Sequence, residues 1–497
     1  MIAIAARKLG IFARSMASKK LYHRGQICSL RITDMAFEGK GIAKVENEGK
    51  RYVVFIPNTI PGQLVECRMV KVKNSYAEAK LIRIVEHSEL EVPHNYAPIP
   101  GAPYLSLPIE KQREYKQSTT LELYRRIGKL EDVESYFEEY LESPRLLHYR
   151  NKMEYSFGSV YVEPGEAEFK DGFALGFKKR GQWLAVEPLS GDSGMFDAQL
   201  ENFLPKLSRW FEERGHSGWH GKKHSGFCRM LAVRKSFRDD QLLLNFVSSS
   251  SELEKFDREA FIQLFEDEFG KRLGGLIHTI NDDIGDRPKA SEGERNLLAG
   301  KEAVEEYIHG LRFEISVESF FQTNPASAEL LYQKALDYVK EDKPDSKPVI
   351  LDLFAGTGTI TQLLAQAVPS AEVIGVEIVP EAVEDAKRSA EANGFKDLKF
   401  FAADVGKFLL EHPQYQNRIH TLTLDPPRAG IAPKTLRKVI RLGAERIVYI
   451  SCNPATQARD LQILAEFGYG LKKFSLVDQF PHTAHIESVA LFEKISR

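Results

Sequence analysis

The sequence predicts a three-part α/β protein: a small β-barrel, a mixed α+β middle and a doubly wound, Rossmann-like parallel sheet. Three observations predict it. Short strands separated by tight turns fill the first ninety or so residues, strand and helix alternate regularly from about residue 321, and the charge divides between the two ends. At 497 residues the chain is too long for one ordinary domain. Residues 1–85 carry 16 Lys and Arg against 6 Asp and Glu, so that part is +10 and the remainder −12. A basic module on an acidic body suits a polyanionic partner, although a solvated basic surface would look the same. No stretch approaches the ~20 uninterrupted apolar residues of a membrane helix. Cys28, Cys67, Cys228 and Cys452 lie far apart and form no CxxC pair. A disulfide framework is therefore not expected, and a cytoplasmic location is.

Residues 1–20 contain no acid and read either as a targeting peptide or as sequence upstream of a start at Met16. From Gly25 to about Val85 run QICSLRITDMAF, GIAKV, RYVVFIP, QLVECRMVKVK and AEAKLIRIVE, with turns at Glu38-Gly39-Lys40-Gly41, Glu48-Gly49-Lys50 and Pro61-Gly62. Five short strands in so few residues predict an oligonucleotide-binding type of barrel. Through Gly39-Lys40-Gly41, RYVVFIPNTIPGQ and the basic RMVKVK it resembles the TRAM domain, an RNA-binding barrel attached to several RNA-modifying enzymes. The expected divisions are a tail (1–20), this barrel (21–92), a central RNA-binding domain (93–320) and a carboxyl-terminal domain (321–497).

Five prolines in residues 93–110 predict a linker or extended loop, followed by a helix through IEKQREYKQSTTLELYRRIG. Residues 145–320 mix strands and helices without a repeat and contain two basic clusters, Tyr149-Arg150-Asn151-Lys152 and Lys178-Lys179-Arg180. By composition GHSGWHGKKH (215–224) is a flexible loop. His220, His224 and Cys228 are too loosely spaced to predict a zinc site, so no metal is expected.

Beyond residue 321 come strand VILDLFAG, a helix through TQLLAQAV, strand AEVIGVEIV and a helix PEAVEDAKRSAEANG with Val383, Ala386 and Ala390 on its apolar face. LKFFAAD, IHTLTLDP and RIVYISC continue the alternation that marks a doubly wound sheet. KKFSLVDQF and ESVALFEK close the chain as an antiparallel pair. Asp352-Leu353-Phe354-Ala355-Gly356-Thr357-Gly358 ends a strand and opens a helix, where glycines let a ligand approach the backbone. Glu377, at the end of the next strand, is placed to accept ribose hydroxyls. Position 361 is Thr361, so the third glycine of a dinucleotide fingerprint is missing. The segment instead looks like the first motif of class I methyltransferases. Asp404, ending LKFFAAD, is placed to reach an adenine amino group, and Ser319-Phe320-Phe321-Gln322-Thr323-Asn324 is an aromatic and amide cluster that a core-and-cap role would also explain.

Two further segments narrow the chemistry. Leu424-Asp425-Pro426-Pro427-Arg428-Ala429-Gly430 forms a stiff turn that leaves Asp425 facing the cleft. Tyr449-Ile450-Ser451-Cys452-Asn453-Pro454 puts a cysteine at a strand end. A lone cysteine there is usually a small buried hydrophobe. Carbon methylation, however, requires one: uracil C5 has no lone pair, and a thiolate adding at C6 makes it nucleophilic. A base must then remove the C5 proton. Glu487, opening the last strand, is the candidate, with His482 and His485 as alternatives better explained by loop positioning.

FFQTN, DLFAGTG, DPPRAG, SCNPAT and HTAHIES, in this order, resemble the RNA (uracil-5-)-methyltransferase family, and with the TRAM-like module its bacterial 23S ribosomal RNA branch. The resemblance covers residues 21–497. It implies S-adenosylmethionine as methyl donor, 5-methyluridine as product, Cys452 as nucleophile, Glu487 as base, and Gln322, Phe354, Glu377, Asp404 and Asp425 around the donor. Many ribosomal members carry a four-cysteine iron–sulfur cluster between barrel and central domain. HNYAPIPGAPYLSLP has no cysteine, so no cluster is expected. A monomer acting on 23S rRNA is the expectation, with transfer RNA, cytosine-C5 methylation, amino-group methylation and non-catalytic RNA binding as alternatives.

Overall fold

The computed structural model describes residues 21–47, 50–166, 168–179, 181–182, 184–285, 293–342 and 347–495. The tail at 1–20, Glu48 and Gly49 of one expected turn, and Arg180 of one basic cluster lie outside them. The chain forms two compact units, one ending at Leu90 and one beginning at Glu91.

In the first unit, Ile27–Arg31, Asp34–Ala36, Lys40–Asn47, Lys50–Pro57, Leu64–Val72 and Tyr76–Glu86 make one six-stranded sheet. Alternation sets its faces: Val65, Cys67 and Met69 point into the core while Arg68 is exposed. The first expected strand is two strands. Between them Ile32 N–H donates to the Gln63 carbonyl (2.9 Å) and Thr33 N–H to the Ile42 carbonyl (2.7 Å), so the chain changes partners there. Gly41 is required for space, since a Cβ would lie 1.9 Å from Thr59 Oγ1.

The second unit contains two large sheets. The central one has seven strands in the order Val186–Pro188, Lys170–Lys178, Lys152–Tyr161, Cys228–Lys235, Leu242–Ser248, Leu273–Ile280 and Arg295–Gly300. Helices Ala198–Glu213 and Arg258–Phe269 pack on it through Phe203, Phe211, Phe261 and Phe265. The carboxyl-terminal sheet contains β1 (Val349–Leu353), β2 (Glu372–Glu377), β3 (Lys399–Ala402), β4 (Ile419–Leu424), β5 (Arg446–Ser451), β6 (Tyr469–Val477) and β7 (Glu487–Lys494). Their order is β3-β2-β1-β4-β5-β7-β6, with β1 to β5 parallel and β7 antiparallel to both β5 and β6.

An eighth strand, Phe137–Leu141, pairs in parallel with β6. Helix Ile109–Arg126 joins it on this sheet, where Tyr124 stacks on Phe474 of β6 at 4.3 Å. Residues expected in the central domain thus extend and cover the carboxyl-terminal sheet. The outer edge of β6 would otherwise present a row of unpaired backbone groups. The proline-rich segment also differs from a free linker: Ile99, Ala102, Tyr104 and Leu107 are buried. GHSGWHGKKH is not a loose loop, because Trp219 N–H donates to the Cys228 carbonyl (2.9 Å), His220 N–H to the Ser225 carbonyl (2.7 Å), and His216 and Trp219 are buried.

Candidate active site

The carboxyl ends of β1, β2, β4 and β5 and the start of β7 converge on one cleft, as open α/β sheets direct ligands to that edge. After β1 the chain turns through Phe354 (φ 64°), Gly356 (φ 54°) and Gly358 (φ 78°) into helix Thr359–Ala367. The two glycines serve different ends. A Cβ on Gly356 would meet nothing within 4 Å, so that position leaves space open beside the backbone. A Cβ on Gly358 would lie 2.8 Å from Ala386 Cβ and from the Phe400 ring, so that glycine permits the helix to pack. Phe354 is a non-glycine residue in the left-handed region, a strain that concentrates at functional sites.

Glu377 braces this turn. Its Oε2 accepts from Gly356 N–H (3.0 Å) and its Oε1 from Ile378 N–H (2.8 Å) and Val379 N–H (3.0 Å). Asp404 stands beyond the end of β3 and caps helix Val405–Glu411, Oδ1 accepting from Gly406 (2.7 Å) and Lys407 (3.3 Å) N–H groups. Gln322 is half-buried; its carbonyl accepts from Asn151 Nδ2 (3.0 Å) and its side chain reaches the Tyr332 hydroxyl. Of its cluster, Phe321 is core, Asn324 caps helix Pro325–Lys340, and Phe320 is 74% exposed.

The register of β5 and β7 brings Cys452 to Glu487. Ser451 lies opposite Ser488, so one further step along the antiparallel pair sets Cys452 opposite Glu487. Between β5 and β6, Glu487 is only 3% exposed. Asp425 follows β4 beside them.

Electrostatically the cleft is a cluster of acids short of positive charge. Burial, then the Asp425 charge, pushes the Glu487 carboxyl up to about 8. Burial, then Asp352, pushes Asp425 up to about 7. Asp352, inside β1, is itself pushed up to about 7 by burial, although the Thr361 and Thr423 hydroxyls donate to it at 2.6 and 3.0 Å. Burial, then Glu487 and Asp425, pushes the Cys452 thiol up to about 12, and only the Arg428 guanidinium pulls the other way among nearby charged side chains. Burial thus leaves the free site with a thiol and with carboxyls that hold their protons more tightly than exposed ones do. A ligand carrying positive charge relieves this arrangement. The nucleoside and sulfonium of S-adenosylmethionine fit it, with room beside Gly356 and carboxylates at 377 and 404 for hydroxyl and amino groups.

His482 is buried, and burial, then Lys116, pushes its imidazole down to about 4. Gln112 Nε2 donates to its Nδ1 (3.1 Å), and its own N–H donates to Gln112 Oε1 (2.8 Å), which ties the 478–486 loop to helix Ile109–Arg126. His485 Nδ1 faces the Arg428 guanidinium at 3.3 Å. Two participants escaped sequence reading. Tyr332, buried amid Gln322, Asp425, Glu487 and Asp352, is one of several apolar-face residues of its helix. Lys116 forms a buried ion pair with Asp478 (2.7 Å), and no pattern marks a lysine on a helix as buried.

Fold and site define a class I S-adenosylmethionine-dependent methyltransferase. Residues 298–495 match the family model described as tRNA (Uracil-5-)-methyltransferase, and residues 23–82 match the TRAM domain. An uncharacterized RNA methyltransferase of Caldanaerobacter subterraneus subsp. tengcongensis is 35% identical over 95% of this chain and 99% of its own. Another, from Clostridium tetani, is 32% identical over 94% and 97%. The Pyrococcus abyssi tRNA (uracil-54, C5)-methyltransferase, solved with S-adenosyl-L-homocysteine, shares the fold with a TM-score of 0.66 at 24% identity, over 94% of this chain and all of that one. The chain belongs to the RNA (uracil-5-)-methyltransferase family: it is an RNA-binding, S-adenosylmethionine-dependent uracil-5 methyltransferase with an amino-terminal TRAM domain.

Proposed function

We propose that the protein methylates uracil C5 in 23S ribosomal RNA, as a cytoplasmic monomer, with Cys452 as nucleophile and Glu487 as base. The observation that carries the chemistry is the register-matched pair at the β5 and β7 ends. S-adenosylmethionine supplies an electrophilic methyl group whose bond to sulfur breaks. The remaining work falls to side chains. The Cys452 thiol gives up its proton to solvent, and the thiolate adds to C6, moving the C5–C6 π electrons toward C5 and the O4 carbonyl. C5 then forms its bond to the methyl carbon. Glu487 accepts the C5 proton, the electrons of that C–H bond restore the C5–C6 double bond, and the C6–sulfur bond breaks to release the thiolate. Glu487 must be ionised for this, and its raised affinity for protons makes it a stronger base than an exposed carboxylate. Phe354, Gln322, Glu377, Asp404 and Asp425 hold the donor. A uracil in a duplex hides C5 and C6, so the target is unpaired or flipped, at a cost of a few kcal/mol.

The TRAM barrel and the branch it resembles support ribosomal RNA as substrate. In a deletion strain, 5-methyluridine should vanish from 23S rRNA and persist in transfer RNA; the reverse would replace the substrate. For the chemistry, Glu487→Gln should transfer one methyl group and remain covalently attached to RNA, whereas Cys452→Ala should transfer none. Turnover by Cys452→Ala would remove the thiol from the mechanism.

A further inference from the structure

A second cavity in the Glu91–Arg497 unit, of about 200 Å³, lies apart from the methylation cleft. Two cation–aromatic stacks line it. The Arg145 guanidinium lies 4.7 Å from the Phe237 ring centroid, and that of Arg238 lies 3.8 Å from the Tyr307 centroid. Both arginines are exposed; Arg238 Nε lies 3.8 Å from Asp239 Oδ1, and Arg145 forms no ion pair among the described residues. Each guanidinium thus lies over a ring within cation–aromatic distance and remains reachable from solvent. Tyr149 also lines the cavity, its hydroxyl donating to the Pro481 carbonyl at 3.0 Å.

Glu306 is the unusual member. It is 3% exposed and lines this cavity without an ion-pair partner among the described residues. Its Oε2 accepts from Phe237 N–H (2.8 Å) and its Oε1 from Tyr307 N–H (3.1 Å). These two bonds fix the carboxyl between the backbones that carry the two stacks. Each oxygen retains a further acceptor position. A buried carboxylate without a cation is costly, and a ligand that donates hydrogen bonds to it lowers that cost.

The cavity is smaller than the ~300–1,000 Å³ typical of drug-sized ligands. Planar cationic walls and a hydrogen-bond-accepting floor suit one nucleobase, since RNA-binding proteins stack unpaired bases on aromatic rings and guanidinium planes. Among bases, guanine presents two adjacent donors, N1–H and N2–H, to a carboxylate with two oxygens. The base held here is not the methylation target. On strand Val304–Ile308, Tyr307 lines this cavity, while its neighbour Ile308 lines the small space beside Gln322 and Tyr332. The two linings share no residue, and Cys452, Asp425 and Glu487 belong to neither.

We infer that Arg145, Phe237, Arg238, Tyr307 and Glu306 form a subsite for an unpaired guanine of the RNA substrate, outside the methylation pocket. The inference rests on the RNA substrate class but not on the chemistry of Cys452. It is tested with Cys452→Ala protein, which forms no adduct, so failure of the proposed mechanism leaves the result readable. The probes are an oligouridylate of about 12 nucleotides and the same chain with one central guanine. The guanine should tighten binding about tenfold, and Arg145→Ala, Arg238→Ala and Glu306→Gln should each erase most of that gain. Arg145→Lys and Arg238→Lys keep the charge without the planar stack and should not restore it. Unaltered melting temperature and S-adenosylhomocysteine affinity in the arginine variants separate the loss from misfolding. Equal affinity for both probes, or full restoration by lysine, overturns the subsite.

Discussion

Cys452 sits in surroundings that hold its sulfur protonated, first through burial and then through its acidic neighbours Glu487 and Asp425, with Arg428 pulling the other way. Iodoacetamide should therefore label this thiol slowly in the free enzyme. Labelling should be faster with a positively charged analogue of the methyl donor bound than with neutral S-adenosylhomocysteine; equal rates would show that donor charge does not activate the thiol. The carboxyls make a separate prediction. Glu487 holds its proton more tightly when folded, so its contribution to stability is complete below the unfolded value, near ~4.3. That contribution declines as pH rises through the folded value of about 8. Glu487→Gln cannot ionise. It should melt like the wild type at the acidic end of that window and a few degrees higher at the alkaline end. Thermal scans with identical pH slopes would contradict the assignment. Both residues stand out in the sequence because carbon methylation demands a thiol and a base. Their mutual charge problem does not, since it arises from burial between β5 and β6.

At the scale of elements, the loop after β1 and the loop before β7 carry the site. Gly356→Ala should cost roughly 1–2 kcal/mol, the usual penalty for a left-handed backbone with a side chain. Gly358→Ala should cost more, because its Cβ also collides with Ala386 and Phe400. Denaturant unfolding ranks the two, and equal losses would deny Gly358 its packing role. The second loop is anchored by Lys116 and Asp478, with side chains 5% and 0% exposed. Lys116→Met leaves a buried carboxylate unpaired and should destabilise by about 3–5 kcal/mol, most of it recovered when Asp478 is also made apolar. Absence of recovery would mean that the cost comes from poorer packing. The helix at Pro380–Ala392 was legible because Val383, Ala386 and Ala390 keep helical spacing, and they are the buried positions. The strand Phe137–Leu141 was not, because its pairing with β6 joins segments more than 300 residues apart. The proline-rich segment misled for a related reason: its prolines signal irregular backbone, which is compatible with buried side chains at 99, 102, 104 and 107.

Across the whole molecule, charge and fold follow the same division. The alternation of strand and helix beyond residue 321 announced the parallel sheet, and Gly39-Lys40-Gly41, RYVVFIPNTIPGQ and RMVKVK pointed to the TRAM domain that residues 23–82 match. The boundary of the central region was less legible, since chain order does not reveal that residues 109–141 fold onto the carboxyl-terminal sheet. Arg24, Arg68 and Lys73 belong to the basic excess of the barrel. Replacing all three by alanine should weaken RNA binding across sequences. It should also flatten the salt dependence by about 0.7 in log–log slope for each single-strand phosphate that is no longer neutralised. S-adenosylhomocysteine affinity should not change. An unaltered salt slope would place the polyanion elsewhere.

The proposed chemistry turns on a covalent bond between Cys452 sulfur and uracil C6, resolved by loss of the C5 proton. RNA carrying 5-fluorouridine at the target has no proton there to lose. Incubated with enzyme and S-adenosylmethionine, it should yield a methylated, denaturation-resistant complex whose mass spectrum places the link at Cys452. Methylation of ordinary substrate without any such complex on the fluorinated RNA would contradict the account.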